Sequence, residues 1–514
     1  MKKNLFVGLL MLASLAAQAQ NEITIDGKLT NVKDGLVVTL FRTDGRVGTT
    51  IATDTIENGQ YHFKVKPENE LDRLDLFVRS EEFPSMSRKL FATPNTHIEV
   101  TGKDNLIYTW NVKSNVKEQQ EFDHYLYAVK DLWNEYQRKA AEMSACWGVL
   151  DSSTATEEDK KAAKEKMNLI YNQTEEIQLD IHAKEIVLMK EMPVTFVWLD
   201  KMYSLSMGMR YNPNYPLKDE ALALYQRMTD ADKNTELGKQ ITVNMFPPDV
   251  VKIGDDMADA DLYDLEGNLH HLAELKGKYL LLDFWSSGCG PCIMALPEMG
   301  ELQEKYADKL TVVSLSSDTE KRWKAASDQH KMTWKNWSDK KQTGGLYAKY
   351  GVNGIPHYVL ISPEGKMIDT WSGYGKGSLM RQLRSYMHPK PAMSVGTENG
   401  VLWVNYPDVQ LNKTGGSLEI KRVERTADAT TVYFKAYYTP RYWIKIGNDA
   451  VLKTSADRQF KVLKADGITL DTEFYMPESG ETEFSLTFEP LPLDAETFSF
   501  KEGNWLIKDV RLVK

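Results

Sequence analysis

Two cysteines, Cys289 and Cys292, stand two residues apart and have the spacing of a redox pair. An apolar run from Tyr279 to Phe284 predicts a buried strand leading to them, and the pair is expected to begin a helix. At a helix N-terminus, unpaired N–H groups and the helix dipole favour the thiolate, which is the reactive form of cysteine. Cys292, one turn later, can reach back and close a disulfide with Cys289. Because so short a loop stabilises a fold very little, the spacing favours thiol–disulfide exchange over a structural crosslink.

A single carboxylate interrupts the apolar strand. Asp283 has apolar neighbours on both sides, so burial is expected to raise its pKa by disfavouring the charged form. From this position it could exchange a proton with Cys292 and activate that thiol for the second step of exchange. The alternative is that Asp283 is a tolerated, hydrogen-bonded polar group without a chemical role.

The residues around the pair resemble the active-site segment of thioredoxin. The shared motifs are Asp283-Phe284-Trp285 on the predicted strand, Cys289-Gly290-Pro291-Cys292, and a proline at position 297. The resemblance implies a thioredoxin-like α/β domain in which Cys289 attacks a disulfide and Cys292 resolves the intermediate. Trp285 is then expected to pack beneath the active site.

A second segment, Tyr350 to Pro356, resembles the thioredoxin approach to its cis-proline. In that family the proline faces the disulfide, and the backbone of the preceding residue docks the substrate. The resemblance therefore implies that Pro356 is cis, which is uncommon in proteins, and that Ile355 contributes to substrate docking. His357 follows directly; as a cation it could lower the pKa of a thiol, or it could lie at the edge of the site without such a role.

The segment before the redox motif resembles one subgroup of the thioredoxin family. Residues 264–278 resemble the opening hairpin and Gly-Lys turn of TlpA-like and AhpC/TSA-type thioredoxins, which are exported proteins that reduce disulfides. That subgroup usually carries a glutamate three residues after the second cysteine, where this chain has Ala295. The acid–base role would then fall to Asp283 alone. Gly288 stands where thioredoxin has tryptophan, which predicts an open approach to Cys289.

Metal binding is the alternative for a C-x-x-C pair. Zinc would need two further ligands, and the sequence offers only one more cysteine, Cys146, and no paired histidine spacing. We therefore expect neither a metal nor a cofactor. Cys146 lies in a helical segment and is expected to be a small buried apolar residue; a mixed disulfide or a dimer contact is the alternative.

The first 19 residues have the pattern of a secretory signal peptide. A basic start at Lys2 and Lys3 precedes an apolar run from Leu5 to Ala17 and an A-x-A cleavage site. The run is shorter than the roughly 20 apolar residues of a membrane-spanning helix. We therefore expect a periplasmic protein. The formal net charge of -10 argues against a nucleic-acid partner.

Four segments are expected to follow the leader, giving a multidomain α+β chain. Short β-branched and aromatic runs between Asp-Gly and Asn-Gly turns predict a β-sandwich at 20–112. Apolar residues at spacings of three and four predict a helical region at 113–246. Alternating strands and helices predict the thioredoxin-like redox domain at 247–390, and further strands predict a second β-sandwich at 391–514. The order of the first three segments, a β-sandwich and a helical region before the redox domain, resembles multidomain thiol–disulfide interchange proteins of Gram-negative bacteria.

These features together predict an exported thiol–disulfide oxidoreductase that acts as a reductase. The Gly-Pro dipeptide between the cysteines matches thioredoxin, whose potential is about −270 mV, against about −120 mV for the oxidant DsbA. The expected partners are protein or small-molecule disulfides and a membrane electron donor that recharges the pair. No oligomeric state follows from the sequence.

Three other functions remain open at this stage. A thiol oxidase or isomerase would use the same residues in reverse. A thiol peroxidase of the AhpC/TSA type has a Thr-x-x-Cys context, where this chain has Ser286. The protein could also be a binding or assembly protein whose redox module is secondary.

Overall fold

The computed structural model describes residues 21–44, 47–80, 82–152, 154–388, 390–455 and 457–513. The predicted signal peptide lies outside these ranges. The described chain divides into two compact units: residues up to 250 with 318–322 and 340–351, and residues 251–317, 323–339 and 352 onward. The finer segment boundaries drawn from the sequence remain predictions. Within the described ranges, no helix has the length and apolar character needed to cross a membrane.

The first unit begins with eight strands in two four-stranded sheets. Their order is β4-β1-β7-β8 in one sheet and β3-β2-β5-β6 in the other. Burial alternates along β1 and β5, as expected when one face of each strand is covered. The buried side chains of both sheets share one apolar core, which gives the two-layer arrangement predicted from the sequence. The strands are β1 Ile23–Leu29, β2 Val37–Asp44, β3 Val47–Thr55, β4 Gln60–Val65, β5 Asp72–Val78, β6 Arg88–Ala92, β7 His97–Gly102 and β8 Asn111–Lys113.

Seven helices follow these strands between residues 117 and 245, in the part of the chain that the structure describes. Their core includes Phe122, Tyr125, Trp198 and Met202, all fully or almost fully buried. Thr156 and Asp159 form a capping box that starts the longest helix. The helices are α1 Lys117–Ala128, α2 Lys130–Asp151, α3 Glu157–Glu191, α4 Phe196–Tyr211, α5 Lys218–Tyr225, α6 Asp230–Asn234 and α7 Glu236–Met245.

Alternating strands and helices then form a five-stranded sheet of order β13-β12-β11-β14-β15. The central strand β11 is parallel to β12 and antiparallel to β14. It is buried along nearly its whole length, which explains its almost continuous apolar sequence. This is the thioredoxin-like fold expected from the motifs. The elements are β9 Leu262–Tyr263, β10 Leu269–His270, β11 Tyr279–Trp285, α8 Gly290–Lys305, β12 Leu310–Ser316, α9 Glu320–His330, β13 Lys335–Trp337, α10 Gly345–Lys349, β14 His357–Ile361, β15 Met367–Ser372 and α11 Ser378–Met387.

The last strands form one ten-stranded sheet that folds over itself. Phe434 and Phe500 have ring centroids 5.0 Å apart, although three strands separate theirs in the sheet order. The two layers share one apolar core. The predicted β-sandwich is therefore formed by a single continuous sheet whose two halves pack against each other. The strands are β16 Ser394–Glu398, β17 Val401–Asn405, β18 Leu411–Asn412, β19 Leu418–Arg425, β20 Thr430–Tyr437, β21 Trp443–Ile444, β22 Val451–Lys453, β23 Gln459–Asp466, β24 Phe474–Tyr475, β25 Glu481–Phe488, β26 Thr497–Glu502 and β27 Trp505–Arg511, of which β21 and β24 pair separately.

Glu298 ties helix α8 to the start of α11. Its carboxylate accepts hydrogen bonds from the N–H groups of Gly377 (2.9 Å) and Met380 (2.8 Å). Gly377 precedes the first residue of α11 with a left-handed φ of 76°, a conformation that favours glycine. Because glycine has no side chain to cap the helix, the buried carboxylate of Glu298 satisfies these N–H groups instead.

Replacing Glu298 by glutamine should lower the free energy of unfolding by about 1 to 3 kcal/mol, because the amide keeps one acceptor oxygen for two N–H donors. Chemical unfolding followed by tryptophan fluorescence measures the change. Glu304→Gln, on an exposed position of the same helix, serves as the control and should change little. Equal loss of stability in both variants would contradict the capping role of Glu298.

Candidate active site

The two cysteines form a disulfide at the N-terminus of helix α8. Cys289 is the N-cap residue, and its Sγ accepts a hydrogen bond from the N–H of Cys292 at 3.2 Å. Gly290 and Pro291 open the helix. Proline fits the first turn because its fixed φ suits the helix and its missing N–H would have had no partner there. A sulfur at this position can accept N–H groups and benefit from the helix dipole, which stabilises a thiolate.

The two sulfur-bearing residues differ in accessibility. Cys292 is 1 % exposed, whereas Cys289 is partly exposed. Gly288, Gly290 and Pro291, which surround Cys289 in sequence, are all exposed. An incoming disulfide can therefore reach Cys289, while Cys292 is available only from within the fold.

An apolar cluster surrounds the disulfide. Trp285, Cys292 and Trp323 are its fully or almost fully buried members, and Cys289 and Ile355 pack against it. Trp285 thus occupies the packing position expected from the sequence. Low polarity around the buried thiol disfavours its charged form, so Cys292 needs a base to become a nucleophile.

The segment that ends in Pro356 reaches the same cluster. The Ile355–Pro356 peptide bond is cis, which confirms the expectation from the resemblance. Ile355 packs in the cluster with Cys289 and Cys292. Pro356 is buried, and its carbonyl accepts a hydrogen bond from the N–H of Gly373 at 2.9 Å. The two motifs recognised separately in the sequence therefore meet in space.

Asp283 lies on the face of β11 that helix α8 covers. Alternate residues of a strand share a face, and Asp283 stands between Leu281, which packs with Met299 of α8, and Trp285, which packs with Cys292. The carboxyl group is therefore buried between the sheet and the first turns of α8. This is the location from which it could serve Cys292.

The environment of Asp283 controls its proton. Burial raises the pKa of its carboxyl from 3.8 to about 7, and a hydrogen bond from Ser314 partly opposes that rise. The Ser314 hydroxyl donates to Oδ2 at 2.7 Å, and the Trp334 indole N–H donates to the Ser314 hydroxyl at 2.8 Å. Near neutral pH both protonation states are populated, so the group can accept and return a proton.

Ser314 and Trp334 were not identified from the sequence. Ser314 is a buried hydroxyl residue of β12 between Val313 and Leu315, and it pairs directly with Asp283 across the sheet. A polar residue inside a buried strand was the available signal. Trp334 comes from the loop before β13 and had no sequence pattern that linked it to the site.

Both ring nitrogens of His357 are hydrogen-bonded to the neighbouring edge strand of the sheet. Its Nδ1 lies 2.7 Å from the Ser372 hydroxyl and its Nε2 lies 3.0 Å from the Thr370 hydroxyl, both on β15. Burial lowers the pKa of the ring, so it is uncharged at neutral pH. The arrangement favours the second of the two alternatives, a neutral residue at the border of the site.

The third cysteine, Cys146, is a packing residue. Cys146 is a buried free thiol that packs with Ala163 and Ile170 between helices α2 and α3. This agrees with a small apolar residue and leaves no accessible sulfur at that position.

Comparison with known proteins identifies the family. The AhpC/TSA family profile matches residues 253–370, a range that includes Asp283, both cysteines and Pro356. The thioredoxin-like protein YneN of Bacillus subtilis is 34% identical over 127 residues, which are 24% of this chain and 73% of YneN. The chain belongs to the AhpC/TSA family of thioredoxin-like proteins.

Other members have related activities. The thiol-disulfide oxidoreductase ResA of Bacillus anthracis is 33% identical over 121 residues, 23% of this chain and 69% of ResA. The thioredoxin domain of a thiol-disulfide oxidoreductase from Bacteroides vulgatus is 28% identical, with a TM-score of 0.25, and the match covers 27% of this chain and 99% of that domain. The identity to YneN and ResA, over more than two thirds of each of those proteins, makes this protein an enzyme of the thiol-disulfide oxidoreductase class.

Replacing Asp283 by asparagine should change how stability depends on pH. The folded-state pKa of about 7 lies above the ordinary 3.8, so the folded protein binds the proton more tightly than the unfolded chain. The free energy of unfolding of the wild type should therefore fall as pH rises from about 4 to about 7 and level off above. Asp283→Asn should escape this loss and be more stable by roughly 2 to 4 kcal/mol above pH 7, with little difference near pH 4.

Unfolding midpoints measured across this pH range test the assignment. Asp308→Asn, at an exposed position, is the matched control and should follow the wild type. Parallel pH profiles for Asp283→Asn and the wild type would contradict a buried carboxyl with a raised pKa.

Proposed function

We propose that this protein is an exported disulfide reductase that acts through Cys289 and Cys292. The observation that carries the proposal is the pairing of an accessible N-cap sulfur with a buried sulfur one turn later in the same helix. Such a pair suits a reaction in which one thiol attacks from the surface and the other completes the exchange from inside.

In the first step the Cys289 thiolate attacks one sulfur of a substrate disulfide. The substrate S–S bond breaks, and the leaving sulfur departs as a thiolate that takes up a proton. A mixed disulfide now links Cys289 to the substrate sulfur that it attacked. The end of helix α8 supports this step, because its N–H groups stabilise the attacking thiolate. The backbone of Ile355, beside the disulfide, is proposed to hold the substrate chain.

In the second step Cys292 releases the substrate. Its thiol gives a proton to the Asp283 carboxylate, and the resulting thiolate attacks Cys289 Sγ. The mixed disulfide breaks, the substrate sulfur that was bonded to Cys289 leaves and is protonated, and the Cys289–Cys292 disulfide forms. Two electrons have then passed from the cysteine pair to the substrate. The pKa of about 7 at Asp283 supports this role, since a base works best when its pKa is near the working pH.

The direction of electron flow rests on the residues between the cysteines. Gly290 and Pro291 form the dipeptide of thioredoxin, a reductant with a potential of about −270 mV. An oxidase or isomerase would run the same two steps in reverse. A reductase must be returned to its dithiol form, which requires a two-electron donor; for an exported protein we propose a membrane-bound one.

Export is supported by residues 1–19, whose basic start, apolar run and A-x-A site fit a signal peptide. We therefore propose the periplasm as the working compartment, with protein or small-molecule disulfides as substrates. There, a reductase works against an oxidising environment, which is the reason why a dedicated electron donor is part of the proposal.

Reduction of insulin disulfides with dithiothreitol as electron source tests the roles of the cysteines. The wild type should accelerate the reaction, and Cys289→Ser should abolish the acceleration because the attacking sulfur is gone. Cys292→Ser, reduced, freed of dithiothreitol and then mixed with insulin, should form the mixed disulfide and fail to release it, so mass spectrometry should detect an insulin chain bound to Cys289. Cys146→Ser is the matched control and should act like the wild type. A fully active Cys289→Ser variant would refute the mechanism.

A further inference from the structure

A cavity of about 900 Å³ opens among the helices of the first unit. Its walls come from β6, from helices α1 to α4 and from the segment that follows α4. All of its lining residues belong to the first unit, whereas Cys289 and Cys292 belong to the second. Its volume falls in the range of about 300 to 1,000 Å³ that is usual for small-molecule sites. The redox chemistry makes no use of it.

Two ion pairs lie in the wall of this cavity. Lys201 and Glu185 are joined at 2.6 Å, with side chains only 7% and 3% exposed. Lys89 and Asp200 are joined at 2.9 Å and are partly buried. Buried ion pairs stabilise a fold little, because desolvation costs about as much as the attraction returns. Because both pairs line the cavity, we infer that their polar groups serve to bind a ligand there.

The buried histidine of the cavity carries no charge. His182 Nδ1 lies 2.7 Å from the Tyr215 hydroxyl, and its Nε2 lies 3.1 Å from the Ser204 hydroxyl. Burial and the nearby Lys201 lower the pKa of the ring to about 4. The inner wall is thus electrically neutral, because each lysine has a carboxylate partner and the histidine is unprotonated.

Aromatic rings form much of the remaining wall. Tyr108 and Trp133 pack with ring centroids 4.5 Å apart. Trp133 is partly exposed and lines the cavity. Tyr211 is 54% exposed at the mouth of the cavity. Rings of this kind offer an apolar face and a polar edge to a ligand.

We propose that this cavity binds a short, neutral oligosaccharide. A sugar ring combines apolar C–H faces, which suit aromatic rings, with hydroxyl groups that can form hydrogen bonds with the ion-paired side chains of the wall. A charged ligand would find every inner charge already paired, and the exposed Glu175 and Glu176 at the border would repel an anion.

An extended peptide fits the cavity less well. Such peptides are usually held by the backbone of a strand edge, whereas most of this wall consists of helices, whose backbone N–H and C=O groups are bonded within the helix. A sugar needs only side-chain partners, and the cavity offers many.

Isothermal titration calorimetry on the full chain tests the proposal. The probes are maltotriose, cellotriose and N,N′,N″-triacetylchitotriose as neutral sugars, trigalacturonic acid as an anionic sugar, and Gly-Phe-Gly as an aromatic peptide. We expect one or more neutral trisaccharides to bind, with an affinity in the range of about 1 µM to 1 mM, and the anionic sugar to bind more weakly or not at all.

Two substitutions localise the binding. Tyr211→Ala removes a ring at the mouth, and Trp133→Leu removes a ring from the wall; each should weaken binding about tenfold, which corresponds to roughly 1.4 kcal/mol. Tyr442→Ala, an equally exposed aromatic position in the C-terminal sheet region, is the matched control and should bind as the wild type does. Unfolding midpoints show whether the variants keep their fold; Tyr211→Ala is expected to, because its ring is largely exposed.

Three outcomes would overturn the proposal. The first is that none of the neutral sugars binds at millimolar concentration. The second is that Gly-Phe-Gly binds and the sugars do not, which would assign the cavity to peptides. The third is that sugar binding is unchanged in both Tyr211→Ala and Trp133→Leu, which would locate the sugar elsewhere on the chain.

Discussion

The N-terminus of helix α8 is the feature on which the redox site depends. There the N–H of Cys292 donates a hydrogen bond to the sulfur of Cys289, and the first turn places Cys292 in the interior of the fold. Strand β11 must end at the right point for this to happen, which it does because it is the central strand of the sheet and is buried on both sides. The sheet and its helices thereby fix which sulfur faces a substrate and which faces the interior.

Burying a carboxyl next to that helix has an energetic cost and a chemical benefit. Burial between the sheet and α8 disfavours the charged form of the Asp283 carboxyl. The hydrogen bond from Ser314 replaces only part of the solvation that the carboxylate would have in water. The result is a proton acceptor with a pKa near 7 in a domain that lacks the glutamate usual for TlpA-like proteins. A site that lowers stability in order to hold such a group is typical of enzymes.

The redox site was largely predictable because its chemistry is local in sequence. The C-x-x-C motif, the lone aspartate in an apolar strand and the approach to Pro356 each carry a short pattern. The Ser314–Trp334 hydrogen bonds and the cavity around Lys201 carry none, since their members come from separate elements that only the fold brings together. Strand β3 is largely exposed and lacks apolar alternation, so no period-two signal marked it. Folding of the C-terminal sheet over itself likewise depends on pairings between distant strands.

The equilibrium reduction potential of the Cys289–Cys292 pair is the most direct test of the central claim, that this enzyme reduces disulfides. It is measured by equilibrating the protein with a dithiothreitol redox buffer and counting free thiols, with Cys292→Ser as the variant that cannot form the disulfide. A potential near −270 mV, roughly that of thioredoxin, is the predicted result. A potential near −120 mV, roughly that of DsbA, would contradict the account and make the protein an oxidant.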